Sequence, residues 1–274
     1  MKRHIYKLIN EQFNIGNMDL NNIKRKKNVN IFNKEIYNPE VIYKKILAND
    51  VEDDEIEFMH HLISRITVND KDILRRIVIF YSYLYYEYSL NWIDVSGITD
   101  MSKMFANTRY NGDISEWDVS NVNNMTEMFE SSEFNNKIGD WDVSNVSLMD
   151  SMFRQSDFNQ DISGWNVSNV INMQGMFAES KFNGNISRWN VSNVWDMKWM
   201  FVCSQFNGDI SGWNVSNVRD MSHMFRDSNF DGDISRWNVS KVRLYFNMFD
   251  NCPIRKSNRP PKLRKDKNEY YGII

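Results

Sequence analysis

Tryptophan recurs at Trp117, Trp141, Trp165, Trp189, Trp213 and Trp237, one every 24 residues, and Trp92 stands one turn earlier with a single extra residue after it. The columns Val95, Val119, Val143, Val167, Val191, Val215, Val239 and Phe105, Phe129, Phe153, Phe177, Phe201, Phe225, Phe249 keep the same phase. A fixed period of this length is the signature of a solenoid, in which each unit buries its apolar face only against its neighbours. A side chain that repeats with the period is therefore first a packing residue. Information about a partner has to be sought where the period is broken.

The unit from Ile114 to Ile138 shows how one turn is expected to form. Ile114, Trp117 and Val119 fall at positions 1, 4 and 6 of a leucine-rich-repeat frame, so residues 115–119 are predicted to be a short strand with Trp117 and Val119 inward. Val122, Met125, Met128 and Phe129 follow helical spacing, which predicts a helix capped by Ser120 or Asn121. Phe134 anchors the descending loop, and Asn135-Asn136-Lys137 turns the chain toward Ile138; Asx and Gly suit such corners because they tolerate left-handed backbone. The expected fold class is α/β: an LRR-like right-handed solenoid of about seven such repeats over residues 91–252.

Residues 1–90 lack the repeat. Helices are expected near 38–48, 53–66 and 70–88, and residues 1–35 show no periodicity. In 70–88, Ile73, Leu74, Ile77, Phe80, Tyr81 and Leu84 share a face, and Asn69 or Asp70 is placed to cap it. An apolar helix directly before the first repeat is expected to cover the open end of the array. Residues 253–274 form a basic C-terminal tail, expected to be solvated.

The run Phe158-Asn159-Gln160-Asp161-Ile162-Ser163-Gly164-Trp165-Asn166-Val167-Ser168-Asn169-Val170 resembles the repeat of BspA-like leucine-rich-repeat surface proteins, a unit common in mycoplasma and Listeria lipoproteins. The resemblance extends over about 91–252, in phased copies of the 24-residue period. It implies an LRR-like solenoid and, for the surface members, adhesion or partner binding. The lipobox, signal peptide and wall anchor of those proteins are not evident in this sequence, which is a departure from the family pattern.

Charge limits the partners. The formal net charge is −3, but residues 91–250 carry 21 acidic and 12 basic side chains, a net of −9, while 251–274 carry seven basic and two acidic ones, a net of +5. An acidic array argues against nucleic acid along the repeats. The basic runs at Lys24-Arg25-Lys26-Lys27 and in the tail read as solvated ends. The start, MKRHIYKLINEQFN, has no apolar core of signal-peptide length, and Ile77 to Tyr86 is too short a greasy run to span a bilayer. Cys203 and Cys252 stand two repeats apart, beyond disulfide reach. These points predict a soluble, reduced, cytoplasmic and monomeric protein, with a surface location implied only by the resemblance.

Catalytic constellations are poor. Of His4, His60, His61 and His223 only the last lies in the repeats, and no nucleophile motif, phosphate loop or zinc spacing is found, so neither enzyme chemistry nor a cofactor is expected. The Asx corners Asn111/Asp113, Asn159/Asp161, Asn207/Asp209 and Asp231/Asp233 suggest a calcium ladder, but Lys137 and Asn185 interrupt it and favour turn chemistry.

Two sets of residues are candidates for binding a protein partner. The first flanks the Trp column. Glu116, Asp118, Asp140 and Asp142 make its N-terminal end acidic, and Arg188 and Arg236 make the other end basic, a dipolar surface suited to orienting a partner if it faces a concave side. The second is Trp195 and Trp199, which occupy columns otherwise filled by small or polar residues and by Ile171, Arg219 and His223. Helical spacing points both Trp away from the apolar face. With Arg219 and His223 they have the aromatic–Arg composition of an interface hot spot. The alternative is that Trp199 fills space left by Gly175.

Overall fold

The computed structural model describes residues 23–25, 66–84 and 86–264. The helices expected at 38–48 and 53–66 lie outside the described residues, as does most of 1–35. Strand β1 (Ile23–Arg25) pairs antiparallel with β2 (Ile66–Val68), and β2 pairs parallel with β3 (Ile93–Asp94). Helix α1 (Lys71–Leu84) lies between β2 and β3 in the chain. It is shorter than the predicted 70–88 and is capped by Asp70, whose Oδ1 accepts the Asp72 and Ile73 amides at 2.8 and 3.0 Å.

From Asp100 onward, successive 24-residue units lie one on another in parallel register. The bridge runs through Asp100, Asn124, Leu148, Asn172, Asp196, Asp220 and Leu244. Around each bridge the backbone is tied to both neighbours. The Asn123 amide donates back to Thr99 O at 2.8 Å, while those of Met101, Lys103, Phe105 and Asn107 donate forward to Asn124, Thr126, Met128 and Glu130 O at 2.8–2.9 Å. This stretch, roughly 99–107 in the first unit, is the spine of the array.

The spine corrects two local predictions. Residues 115–119 form no strand; they are turns and irregular backbone before the bridge. Residues 122–129 are not a helix: after the bridge the chain makes tight turns containing left-handed residues, such as Glu127 (φ 54°) and Ser131 (φ 51°), with equivalents in each unit. Met128 N–H closes one such turn on Met125 O at 3.2 Å. Side chains at intervals of three, three and one still face inward, but a turn brings them there. A helix would spend its amides within its own unit. Here they join one unit to the next.

The core is built of columns. Phe105, Phe129, Phe153, Phe177, Phe201, Phe225 and Phe249 stack with ring centroids 5.1–6.1 Å apart. Phe134, Phe158, Phe182, Phe206 and Phe230 form a second pile at 6.3–6.4 Å. The periodic Trp rings are buried, and each indole N–H donates to a carbonyl 27 residues earlier, Trp141 to Ile114 O at 3.1 Å and Trp165 to Ile138 O at 3.0 Å. A buried indole needs an acceptor, and the preceding unit supplies it.

The two ends are closed differently. At the first unit, the carbonyls of Met104 and Ala106 face where a preceding unit would donate amides. Arg75 of α1 takes that place, with Nη1 2.6 Å from Met104 O and Nη2 2.7 Å from Ala106 O. Burial pushes the guanidinium pKa down to about 10, so it stays charged at neutral pH. Lys71 reaches Asp100 Oδ2 at 2.9 Å and also the Ser102 hydroxyl. At the far end, part of the tail expected to be solvated is folded against the array. Ile254 and Leu263 are buried, the Arg259 guanidinium lies 4.5 Å from the Phe249 ring centroid, and Lys262 Nζ donates to Val239, Ser240 and Val242 O. Residues 253–264 thus cover the last unit, because the apolar Ile254, Pro260 and Leu263 lie among the charges.

Candidate interaction surface

Most polar columns are engaged in holding the turns. Asp118 and Asp142 accept the Ser120 and Ser144 amides through Oδ1 at 3.1 and 3.0 Å, and Asn166, Asn190, Asn214 and Asn238 do the same in later units. The Ser144 hydroxyl, together with the Ser144 amide, holds the Asp142 carboxyl below its usual range. Asp113, Asp161, Asn185, Asp209 and Asp233 each accept the amide two residues ahead, and Asn111 Oδ1 accepts the Asn135 amide of the next unit at 2.8 Å. These are Asx turns and an Asn ladder, which supports the turn reading of the corners. Asn145 Nδ2 to Ser120 O at 2.7 Å belongs to a further ladder repeated along the array.

Glu116, Asp140, Arg188 and Arg236 are exposed, as are Asp118 and Asp142. All six lie on the stretch before the bridge, off the hydrogen-bonded spine on which a concave strand face was expected.

Trp195 and Trp199 lie on the spine itself. Trp195 is 43 % exposed although its amide donates to Ile171 O at 3.0 Å and its carbonyl accepts the Arg219 amide at 2.9 Å. Ile171, Trp195, Arg219 and Arg243 therefore form one row of outward side chains, one per unit, on consecutively bonded backbone. Ile171 is itself 40 % exposed. Trp199 is 39 % exposed and lies in the parallel row Gly175, Trp199, His223, Asn247.

The reason Trp199 points outward differs from the expected one. It occupies the left-handed corner of its turn, at φ 60°, in a column that otherwise holds Lys103, Glu127, Ser151, Gly175, His223 and Asn247. Left-handed backbone costs an L-residue roughly 1–2 kcal/mol, and a bulky aromatic there is an outlier. Its ring does not pair with the Gly175 unit. Instead it sits 6.1 Å from the His223 ring in the following unit, and Lys198 Nζ lies 4.1 Å from its centroid. Burial, with Arg226 and Lys198 close by, holds the His223 pKa below its usual value, favouring the neutral imidazole. Beneath the row, Asp196 Oδ1 accepts the Lys198 amide at 2.9 Å, and burial pushes its carboxyl pKa up.

The structure thus places Trp195 and Arg219 in one exposed row of the spine, and Trp199 and His223 in a second row four residues further along the chain. Two neighbours escaped the sequence reading. Lys198 precedes Trp199 in a column of Ser, Thr, Asp and Gln, and Arg243 extends the Trp195 row. Their signal was the one that marked the Trp pair: side chains out of character for their columns. The ion pairs between described residues include several that link adjacent units, among them Lys103–Glu127, Arg109–Glu133 and Lys181–Asp157, and none includes Arg219 or Arg243.

These features define a tandem-repeat protein with a locally aperiodic, aromatic and cationic surface. The chain belongs to the DUF285 family, described as Mycoplasma proteins of unknown function, which matches residues 78–181 and again, overlapping, 155–260. The two matches together cover more than half of the chain. No curated protein and no solved structure matches it.

Proposed function

We propose that this protein is a non-enzymatic interaction module, a solenoid that binds a protein partner through the face centred on Trp195 and Trp199. The observation that carries the proposal is Trp199: a large aromatic left substantially exposed at a left-handed corner, where Gly would fit at no cost and Asn at less cost than Trp. Backbone outliers and exposed apolar groups without a packing role concentrate at functional sites. Arg219 and His223 complete an aromatic–Arg cluster of the kind that dominates interface energetics.

The test is capture of partners with the wild type and with Trp195→Ala/Trp199→Ala, alongside melting curves. A specific partner should be lost by the double variant with affinity down about 30-fold or more, while the melting curve stays near wild type. Retention of every partner by that variant, with loss on Glu116→Lys or Arg236→Glu, would move the site to the flank of the periodic Trp column.

A further inference from the structure

The row that contains Trp195 changes character halfway along the array. Backbone bonds of 2.8–3.0 Å run from Asn123 N to Thr99 O and so on, unit by unit, to Arg243 N and Arg219 O, which sets one side chain of the row on each unit. Thr99, Asn123 and Ser147 make its first half small and polar, whereas Ile171, Trp195, Arg219 and Arg243 make its second half large and exposed. Among the described residues, Trp195 makes no ring or cation contact. Neither arginine lies within ion-pair distance of a carboxylate there. Asp196 and Asp220 are their neighbours in the chain, but each turns its Oδ1 onto a backbone amide, that of Lys198 at 2.9 Å and that of Ser222 at 2.8 Å.

Reversed, the second half of the row complements itself. A two-fold axis across the array, between the units of Trp195 and Arg219, sets Trp195 opposite Arg219 of a second copy and Ile171 opposite Arg243, each contact occurring twice. An arginine over an indole face is attracted by the ring, and an arginine stem packs on an aliphatic side chain. The same operation brings Trp199 level with His223 and Gly175 level with Asn247, so the neighbouring row sets no like charges together. Half a unit either way spoils the match. An axis through the Trp195 unit leaves Arg243 against Ser147, and one through the Arg219 unit sets that arginine against itself.

We infer that this row is a self-association surface, on which a second copy of the chain docks antiparallel with Trp195 of each copy on Arg219 of the other. The inference rests on the reading of the Trp face as an interface and names the protein that occupies it. Spacing selects the occupant. Hydrogen-bonded units repeat at about 4.8 Å, so the three steps from Ile171 to Arg243 span roughly 14 Å. A helix advances about 5.4 Å per turn and a strand about 6.7 Å between residues of one face, so over three steps they run ahead by roughly 2 and 6 Å. A second array keeps step with the first. Four side chains from each copy cover far less than the roughly 800 Å² per partner of a stable complex, so the dimer is transient and the monomer expected from the sequence is the form at low concentration.

Sedimentation velocity on the purified full chain tests this with no other protein present. The chain should be monomeric at about 1 μM and largely dimeric at about 0.5 mM. Trp195→Lys sets cation against cation and should weaken self-association by about tenfold or more, with a melting curve near wild type, while Lys137→Glu, off the row, should leave it unchanged. If Trp195→Lys does not fold, Arg219→Glu at an exposed position of the same row gives the same reading. The register is read by cross-linking in a Cys203→Ser/Cys252→Ser background with a short bis-maleimide. A mixture of Ile171→Cys and Arg243→Cys chains should cross-link at least about fivefold more than either alone, because like positions lie roughly 14 Å apart across the two-fold. A monomer at 0.5 mM overturns the inference and leaves the Trp face open to a different protein, which partner capture decides separately. A dimer untouched by Trp195→Lys and by Arg219→Glu, or a mixture that cross-links no better than its components, overturns it equally.

Discussion

The periodic tryptophans and the Trp195/Trp199 pair are the same residue put to opposite uses. Trp165 is 4 % exposed, stacks on Trp189 at 6.4 Å and donates its indole N–H to the preceding unit. Trp199 is ten times as exposed, touches a lysine and a histidine, and holds a backbone conformation that disfavours it. The difference teaches where to look in a repeat protein. Residues that keep the period hold units together, and a costly side chain that breaks it needs a reason other than folding.

The comparison breaks first at the level of whole units. Deleting 142–165 keeps the phase and should lower the melting temperature while preserving the circular dichroism spectrum, because the new neighbours present the same interfaces. A deletion shifted by four residues should prevent cooperative folding, since every column would meet the wrong partner. Equal melting of the two deletions would remove the basis for reading the columns as stacked. Among single changes, Trp165→Ala should cost about 3–5 kcal/mol by denaturant unfolding, combining a cavity with lost packing on both sides.

Arg75→Met sharpens the role of the ends. It leaves the Met104 and Ala106 carbonyls without donors and should cost about 1–3 kcal/mol, with exchange rising first in residues 100–107. Uniform loss of protection along the array would show instead that the cap is not locally coupled to the first unit. Smallest of all, Trp199→Asn should change stability by less than about 1 kcal/mol, because relief of the left-handed penalty opposes loss of the Lys198 contact. A loss near that of Trp165→Ala would make Trp199 a packing residue.

The legible and illegible parts of this molecule divide along physical lines. The columns of Trp, Val, Phe and Met were readable because burial selects apolar side chains at each turn. Asp70 and the apolar face of α1 were readable for similar local reasons. The spine was not, because its bonds are made by backbone groups that leave no side-chain signature. Spacing of three, three and one in Val122, Met125, Met128 and Phe129 satisfies a helix and a left-handed turn alike. Only Gly175 and a few Asn in those corners advertise positive φ, whereas Lys103, Glu127 and Trp199 do not. Asp118 and Asp142 looked like binding charges because sequence shows a carboxylate but not the amide it accepts. The outward direction of Trp195 and Trp199 was anticipated from helical geometry that the segment does not have; exposure came out the same because an out-of-character side chain has no slot in the core.

The most direct test of the account measures stability and partner affinity together for Trp189→Phe, Trp195→Ala and Trp199→Asn. The periodic Trp189 variant should lose stability and, while folded, keep its affinity. The two aperiodic variants should lose about tenfold or more in affinity each at nearly unchanged stability. If affinity instead falls in step with stability across all three, the exposed pair has no separate role and the central claim is wrong.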